Sequence, residues 1–201
     1  RSAVTRLPRI SVAPHGARLG REDNPALPVT PEEIVACAVA CFKAGAGGVH
    51  AHIRDAPAGH WLDADIYRDL LGGLERAVPG MAVRIATEAA GVYGPDHQMA
   101  VALGAGAEMV SVSIRETCRA GREAARDFYQ TCEARGIAVQ HILYDRDDCA
   151  LLQQTLPAGL LGMPRLQLLF VLGRYSQAGA SSPEEMQPFL GWLQEAGLAP
   201  D

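Results

Sequence analysis

Six segments rich in apolar residues alternate with segments of helical pattern along the chain. Each strand-like segment and the helix-like segment after it span roughly thirty residues, the size of a β/α repeat. The strand-like segments are almost continuously apolar, which is typical of parallel strands covered by helices. The alternation therefore predicts an α/β fold with a parallel sheet. The six strand-like segments are 9–14, 48–55, 82–88, 108–113, 137–144 and 166–172.

Polar side chains gather where these predicted strands end. In a TIM (β/α)₈ barrel the active site lies at that end of the strands, and a doubly wound open sheet places its site at the same end. No Gly-x-Gly-x-x-Gly motif follows the first strand, which argues against a dinucleotide-binding fold. We expect a TIM-type barrel that forms a single domain over residues 1–201.

About six β/α units are present, whereas the closed barrel needs eight. An open barrel leaves unpaired backbone groups on its outer strands, and proteins normally avoid such edges. Two interpretations stay open: the C-terminal two units are absent from this sequence, or a partner subunit covers the open edge. We expect the natural protein to continue past Asp201 and to form a homo-oligomer.

The first helix carries the clearest start signal. Thr30 suits the N-cap, Pro31 suits the first helical position, and Glu33 completes a capping box. An apolar stripe at helical spacing follows, and Gly45 ends the helix. A strand, this helix and the strand that begins at Gly48 then form a βαβ unit.

Charge and composition exclude several classes of function. The net charge is −5, and no basic block is present, which argues against a nucleic-acid surface. No apolar run approaches the roughly 20 residues that a membrane span needs, and no signal-peptide pattern is present. Five cysteines are scattered without metal-type spacing. This usage suits a reducing compartment and predicts a cytoplasmic protein.

The motif with most chemical content is His50-Ala51-His52-Ile53-Arg54-Asp55. Successive strand side chains point to opposite faces, so His50, His52 and Arg54 are expected on one face. Two imidazoles at this spacing can reach one metal ion, and zinc commonly takes histidine nitrogen. Arg54 is the candidate catalytic cation beside that metal. The alternative is that the two histidines are simply polar residues on an exposed strand face.

Four stretches occur in an order and spacing that resemble the beta-keto acid cleavage enzyme family. They are Ala13–Arg18 (APHGAR), Pro25–Glu33 (PALPVTPEE), His50–Asp55 (HAHIRD) and Phe170–Gly173 (FVLG). The resemblance covers nearly the whole chain. It implies a zinc-dependent TIM barrel that cleaves a β-keto acid with acetyl-CoA, giving acetoacetate and a new acyl-CoA.

The same resemblance assigns roles to individual residues. His50 and His52 match the two zinc-binding histidines of the family, and zinc would polarise the keto oxygen of the substrate. Ser111 matches a substrate-contacting hydroxyl, while Thr87 and Glu88 lie where the third strand of the family lines the substrate pocket. For Ser111 and Thr87 the alternative is that each hydroxyl caps backbone groups at a strand end.

The sequence also departs from the family. The third zinc ligand of the family is a glutamate after the eighth strand, and its catalytic arginine follows the seventh, so both fall beyond Asp201. The member that cleaves 3-keto-5-aminohexanoate has a glutamate where Arg18 stands and a serine where Ala86 stands. Arg18 suits a substrate carboxylate or a neutral substrate better than an ammonium group, although it also fits a solvated loop.

Three functions remain open at this point. The first is a zinc-dependent β-keto acid cleavage enzyme that acts as an acyltransferase on small molecules. The second is a catalytically inactive family member that serves as a binding subunit. The third is another metal-dependent TIM-barrel aldolase or hydrolase.

Overall fold

The computed structural model describes residues 7–16, 20–55, 59–161, 163, 166–173 and 181–198. Its strands are β1 Ser11–Val12, β2 Gly48–Ala51, β3 Ile53–Asp55, β4 Gly59–Trp61, β5 Ala82–Ala86, β6 Met109–Ser113, β7 Ala138–Leu143 and β8 Gln167–Phe170. Six of them form one sheet in the order β1, β2, β5, β6, β7, β8, in which every neighbouring pair is parallel. β3 and β4 form a separate antiparallel hairpin.

Helices connect consecutive strands of the six-stranded sheet, and the last helix follows β8. They are α1 Pro31–Lys43, α2 Ala64–Ala77, α3 Pro95–Gly104, α4 Ile114–Thr117, α5 Arg122–Ala134, α6 Arg146–Thr155, α7 Ala158–Leu161 and α8 Gln187–Glu195, with 3₁₀ turns at Cys118–Ala120 and Pro183–Met186. Apolar side chains from the strands and helices share one buried core, which includes Val49, Val110, Ile34 and Leu74. The result is a parallel half-barrel with helices, so the predicted α/β class and barrel-type architecture are confirmed.

One predicted strand is wrong. We expected 48–55 to form a single strand, but β2 ends at Ala51 and His52 lies between the two ladders. β2 pairs with β5 as far as Ala51 opposite Ile85, and the chain then leaves the sheet to pair with β4. Alternation of side chains marks the faces of an extended segment, but it does not indicate which neighbour the backbone pairs with.

The predicted capping box at the start of α1 is confirmed. The Glu33 amide donates to Thr30 Oγ1 over 3.3 Å, and the Glu33 carboxylate accepts from the Thr30 and Val29 amides at 3.0 and 2.8 Å. These backbone hydrogen bonds lower the pKa of Glu33 to about 2. The cap fixes where α1 begins, and therefore where the chain turns back toward β2.

A polar cluster joins the segment after β6 to the start of α6. The Asp148 carboxylate is buried and accepts from Arg115 Nε at 2.8 and 3.0 Å and from the Tyr144 amide at 2.8 Å. Arg115 also donates to Asp145, and its guanidinium lies 5.0 Å from the centroid of the Tyr144 ring. Two neighbouring strand ends are thereby held together.

All five cysteines are free thiols. Within the described part of the chain, none of the helices has the length and apolar character needed to cross a membrane.

Candidate active site at the carboxyl ends of the strands

Most of the predicted site residues meet where β2, β5 and β6 end. His50 belongs to β2, His52 follows it directly, Thr87 and Glu88 follow β5, and Ser111 lies in β6. The His50 and His52 rings are stacked, with centroids 5.0 Å apart and planes inclined by 21°. Parallel strands bring these side chains together because their carboxyl ends share one edge of the sheet.

His50 contacts a side chain through each of its ring nitrogens. Arg84 Nε donates to Nδ1 over 3.4 Å, and Nε2 lies 3.3 Å from Ser111 Oγ. Burial, followed by the charges of His52 and Arg84, lowers the pKa of His50 to about 3. The imidazole is therefore neutral at physiological pH, which is the form that a metal ligand requires.

His52 is buried, and one side of its ring faces a carboxylate. Its Nε2 lies 3.8 Å from Glu88 Oε2, whereas its Nδ1 is buried without a hydrogen-bond partner among the described residues. A buried polar atom without a partner costs free energy, so such atoms at a cleft often mark a place where a ligand binds.

The segment after β1 is tied to this site by two hydrogen bonds that sequence reasoning did not predict. His15 Nε2 donates to the His52 carbonyl over 2.7 Å, and Arg54 Nη1 donates to the Gly16 carbonyl. His15 is only 3% exposed and burial lowers its pKa to about 4, so its imidazole belongs to the interior of the site rather than to the surface. Its position directly after a predicted strand was the available signal.

The two predicted substrate-binding hydroxyls both contact backbone carbonyls. Thr87 Oγ1 donates to the Ser111 carbonyl over 2.8 Å, and Ser111 Oγ donates to the Ile85 carbonyl over 3.2 Å. Gln98 Nε2 in turn donates to the Thr87 carbonyl. These bonds fit the strand-end capping that we gave as the alternative role.

The donors at this edge partly suit zinc. Two neighbouring imidazoles, one of them with a buried and unpartnered Nδ1, match the nitrogen ligands that zinc prefers. Within the described ranges, however, no three histidine, cysteine, aspartate or glutamate side chains are grouped closely enough to hold a metal ion. A catalytic zinc needs a third protein ligand. Arg18, the remaining predicted site residue, lies outside the described residues.

Comparison with known proteins decides the family. The family model described as beta-keto acid cleavage enzyme matches residues 9–198. The chain belongs to this family. The assignment from the four sequence motifs is therefore confirmed.

Two named relatives are similar to this chain over 78 residues, which is 39% of its length. One, from Cupriavidus necator, is a 3-oxoadipate:acetyl-CoA acetyltransferase with 36% identity. The other, from Fusobacterium nucleatum, is a 3-keto-5-aminohexanoate cleavage enzyme with 32% identity. The matched segment spans 28% and 29% of the lengths of these two relatives.

Solved structures support the barrel-type fold of this family member. ObcA in a ternary complex with a C4-CoA adduct and oxalate aligns with a TM-score of 0.61 and 18% identity, over 79% of this chain and 41% of ObcA. KGPDC from Streptococcus mutans aligns with a TM-score of 0.53 and 13% identity, over 95% of this chain and 75% of KGPDC. At these identities the similarity concerns the fold alone.

Proposed function

We propose that this protein is a zinc-dependent acyltransferase that converts a β-keto acid and acetyl-CoA into acetoacetate and a new acyl-CoA. The family match over residues 9–198 carries this proposal. The stacked His50 and His52 rings at the carboxyl ends of the strands add the chemical support, because they offer two nitrogen ligands where barrel enzymes place their active sites.

The proposed reaction balances without an oxidant or a reductant. The Cα of the β-keto acid loses a proton and forms a bond to the acetyl carbonyl carbon, and the carbon–sulfur bond of acetyl-CoA breaks. The CoA thiolate then adds to the keto carbonyl carbon of the substrate. Cleavage of the bond between that carbon and Cα releases the new acyl-CoA and the acetoacetate enolate, which takes up the proton.

We assign the residues of this site as follows. His50 and His52 hold zinc, which when bound would act as a Lewis acid toward the keto oxygen. Glu88 faces the site beside His52, and the hydroxyls of Ser111 and Thr87 keep the strand ends aligned under the substrate. A third zinc ligand comes from residues other than the described ones.

Arg54, predicted from the sequence as the catalytic cation, is assigned a positioning role in this proposal. Its guanidinium donates to the Gly16 carbonyl, and this bond supports a function in holding the segment after β1 against the site. A group that only positions a neighbour changes substrate affinity and rate together, since it does not touch the reacting atoms.

Arg18 leads us to propose a substrate whose far end is a carboxylate or a neutral group. The similarity to a 3-oxoadipate:acetyl-CoA acetyltransferase agrees with a dicarboxylic keto acid. We expect 3-oxoadipate to be a better substrate than 3-keto-5-aminohexanoate, and we expect Arg18→Glu to reverse that order because it reverses the charge at this position. Measurement of kcat/KM for both acids in both proteins checks this. A higher kcat/KM for 3-keto-5-aminohexanoate than for 3-oxoadipate in the unaltered protein would contradict this proposal.

Zinc content and acyl transfer, measured on one preparation, test the main proposal. We expect one zinc per chain and acetyl-CoA-dependent formation of acetoacetate. His50→Ala and His52→Ala are expected to lose both properties while the circular dichroism spectrum stays unchanged. His97→Ala is the matched control, since the His97 imidazole bonds the Leu62 carbonyl and stacks on Tyr93 rather than on a residue of the site, and it is expected to keep both properties.

Other outcomes of this experiment would favour the competing functions. A folded protein with neither zinc nor acyl transfer would indicate an inactive family member that acts as a binding subunit. Cleavage of the keto acid without acetyl-CoA would indicate a metal-dependent aldolase or hydrolase. Full retention of zinc in both histidine variants would overturn the ligand assignment.

We also infer that the protein is a cytoplasmic homo-oligomer. The five free thiols suit a reducing compartment. Within the described part of the chain, β1 and β8 each pair on one side only, and a second copy of the chain would cover such edges. Light scattering coupled to size-exclusion chromatography measures the state directly, and a monomeric mass at micromolar concentration would contradict it.

A further inference from the structure

A buried arginine lies directly beside one of the proposed zinc ligands. Arg84 on β5 is the register partner of His50 on β2, so both side chains point to the same side of the parallel sheet. Arg84 is 7% exposed. Its guanidinium contacts His50 Nδ1 and Met109 Sδ, and no carboxylate in the described ranges lies within ion-pair distance of it. Burying a cation without a neighbouring anion costs folding free energy, so we expect Arg84 to have a role at this position.

The contact between Arg84 and His50 determines which ring nitrogen carries the proton. A guanidinium can only donate hydrogen bonds, so His50 Nδ1 must accept with its lone pair. In a neutral imidazole the proton then resides on Nε2, which lies 3.3 Å from Ser111 Oγ and donates to it. The Ser111 hydroxyl donates onward to the Ile85 carbonyl. The hydrogen bonds therefore all run in one direction, from Arg84 to His50, from His50 to Ser111, and from Ser111 to the Ile85 carbonyl.

This set of hydrogen bonds conflicts with metal binding at His50. A metal ion needs the lone pair of one ring nitrogen of His50. In this arrangement the Nδ1 lone pair already accepts from Arg84, and Nε2 carries the hydrogen. If the metal took Nε2, the proton would move to Nδ1, and two donors would then face each other across 3.4 Å. The positive charge of the guanidinium would also lie close to the metal ion. Both effects weaken binding.

We propose that Arg84 is a positioning residue that holds His50 in its Nε2–H tautomer and thereby weakens zinc binding at this site. Zinc binds only when the guanidinium gives up its bond to His50, so removing the guanidinium strengthens the site. The effect on zinc rests on the function proposed above, whereas the effect on the tautomer does not depend on it.

Arg84→Met is the decisive variant, since methionine keeps an unbranched stem but lacks both the donors and the charge. We expect at least a tenfold lower zinc Kd than in the unaltered protein, in line with the roughly 10–100-fold effects of groups that contact metal ligands. Competition with a chromophoric chelator measures this Kd. A gain in affinity is not what general damage to the fold produces, which separates the proposed role from a purely structural one.

Arg146→Met is the matched control. It removes one positive charge from an arginine that pairs with Glu195 on the surface, and the zinc Kd is expected to stay unchanged. Arg84→Lys keeps the charge and a donor, and its Kd is expected to stay within about threefold of the unaltered protein. An equal or weaker affinity in Arg84→Met would overturn the proposal.

Nitrogen-15 shifts of the His50 ring in the zinc-free, unaltered protein give a second test that needs neither a variant nor a metal. We expect the pattern of an Nε2–H tautomer. An Nδ1–H pattern would overturn the proposal even if Arg84→Met failed to fold. If neither protein binds zinc but the Nε2–H pattern is present, both the zinc function and the effect of Arg84 on zinc fail, and only its hold on the His50 tautomer stands.

Discussion

The Asp148 cluster allows a stability prediction whose size follows from its contacts. Asp148→Ala removes the carboxylate that accepts from Arg115 Nε and from the Tyr144 amide. A hydrogen bond to a charged group contributes about 1.5–3 kcal/mol. The Arg115 side chain is 33% exposed, so solvent screens its share and the low end applies to it. Loss of the acceptor for the half-buried Tyr144 amide adds about 1 kcal/mol. We expect a total of about 2.5 kcal/mol.

Urea unfolding followed by circular dichroism measures this difference as a shift of the midpoint at constant m-value. For a domain of this length, the same loss lowers the Tm by roughly 5–10 °C. Asp147→Ala is the matched control, because Asp147 lies in the same first turn of α6 and is exposed. Its cost is expected to stay below about 0.5 kcal/mol.

Two results would refute this reasoning. The first is a loss smaller than 1 kcal/mol in Asp148→Ala, and the second is an equal loss in Asp147→Ala. A double-mutant cycle with Arg115→Ala isolates the pairwise contribution, for which we expect a coupling of about 1–2 kcal/mol. A coupling near zero would assign the stabilisation to the Tyr144 amide alone.

Three further predictions concern stability. Thr30→Ala removes the N-cap of α1 and is expected to cost about 1 kcal/mol in urea unfolding, whereas Thr30→Ser keeps the hydroxyl and is expected to cost a few tenths. Tyr67→Phe removes the buried hydroxyl that donates to the Ala86 carbonyl over 2.7 Å and is expected to cost about 1–2 kcal/mol; equal stability of the two proteins would contradict this. Burial opposes ionisation of Asp145, but hydrogen bonds from the Asp148 amide and Arg115 outweigh it and lower the pKa of Asp145. The ionised Asp145 therefore adds to the free energy of unfolding above its unfolded pKa, and this contribution is lost as the pH falls through the lower folded pKa. In urea unfolding at a series of pH values, Asp145→Asn is expected to lose less stability on acidification than the unaltered protein.

Local signals in the sequence predicted the architecture well. The cap at Thr30 and the apolar strands other than 48–55 depend on neighbours along the chain, and they are present where expected. The proximity of His50 and His52 also followed from a local rule, the alternation of strand side chains. The β3–β4 hairpin did not, because pairing between strands depends on distant residues.

The Arg84 contact could not be predicted for the same reason. Its place opposite His50 depends on the register of β2 against β5, and a register is a relation between two segments far apart in sequence. One local signal was available, since a lone arginine interrupts an otherwise apolar strand. A charged residue at such a position calls for a partner in the folded protein.

His52, which lies between β2 and β3, also affects how the β1 edge of the sheet opens. The His52 carbonyl accepts from His15, and Arg54 holds the Gly16 carbonyl, so the segment after β1 is fastened to the hairpin. β1 itself contributes only two paired residues to the sheet. A short edge strand separates at low free-energy cost. We therefore expect residues 13–16 and β3 to open as one unit, so that hydrogen exchange finds a common rate for the amide protons of His15, Gly16 and β3.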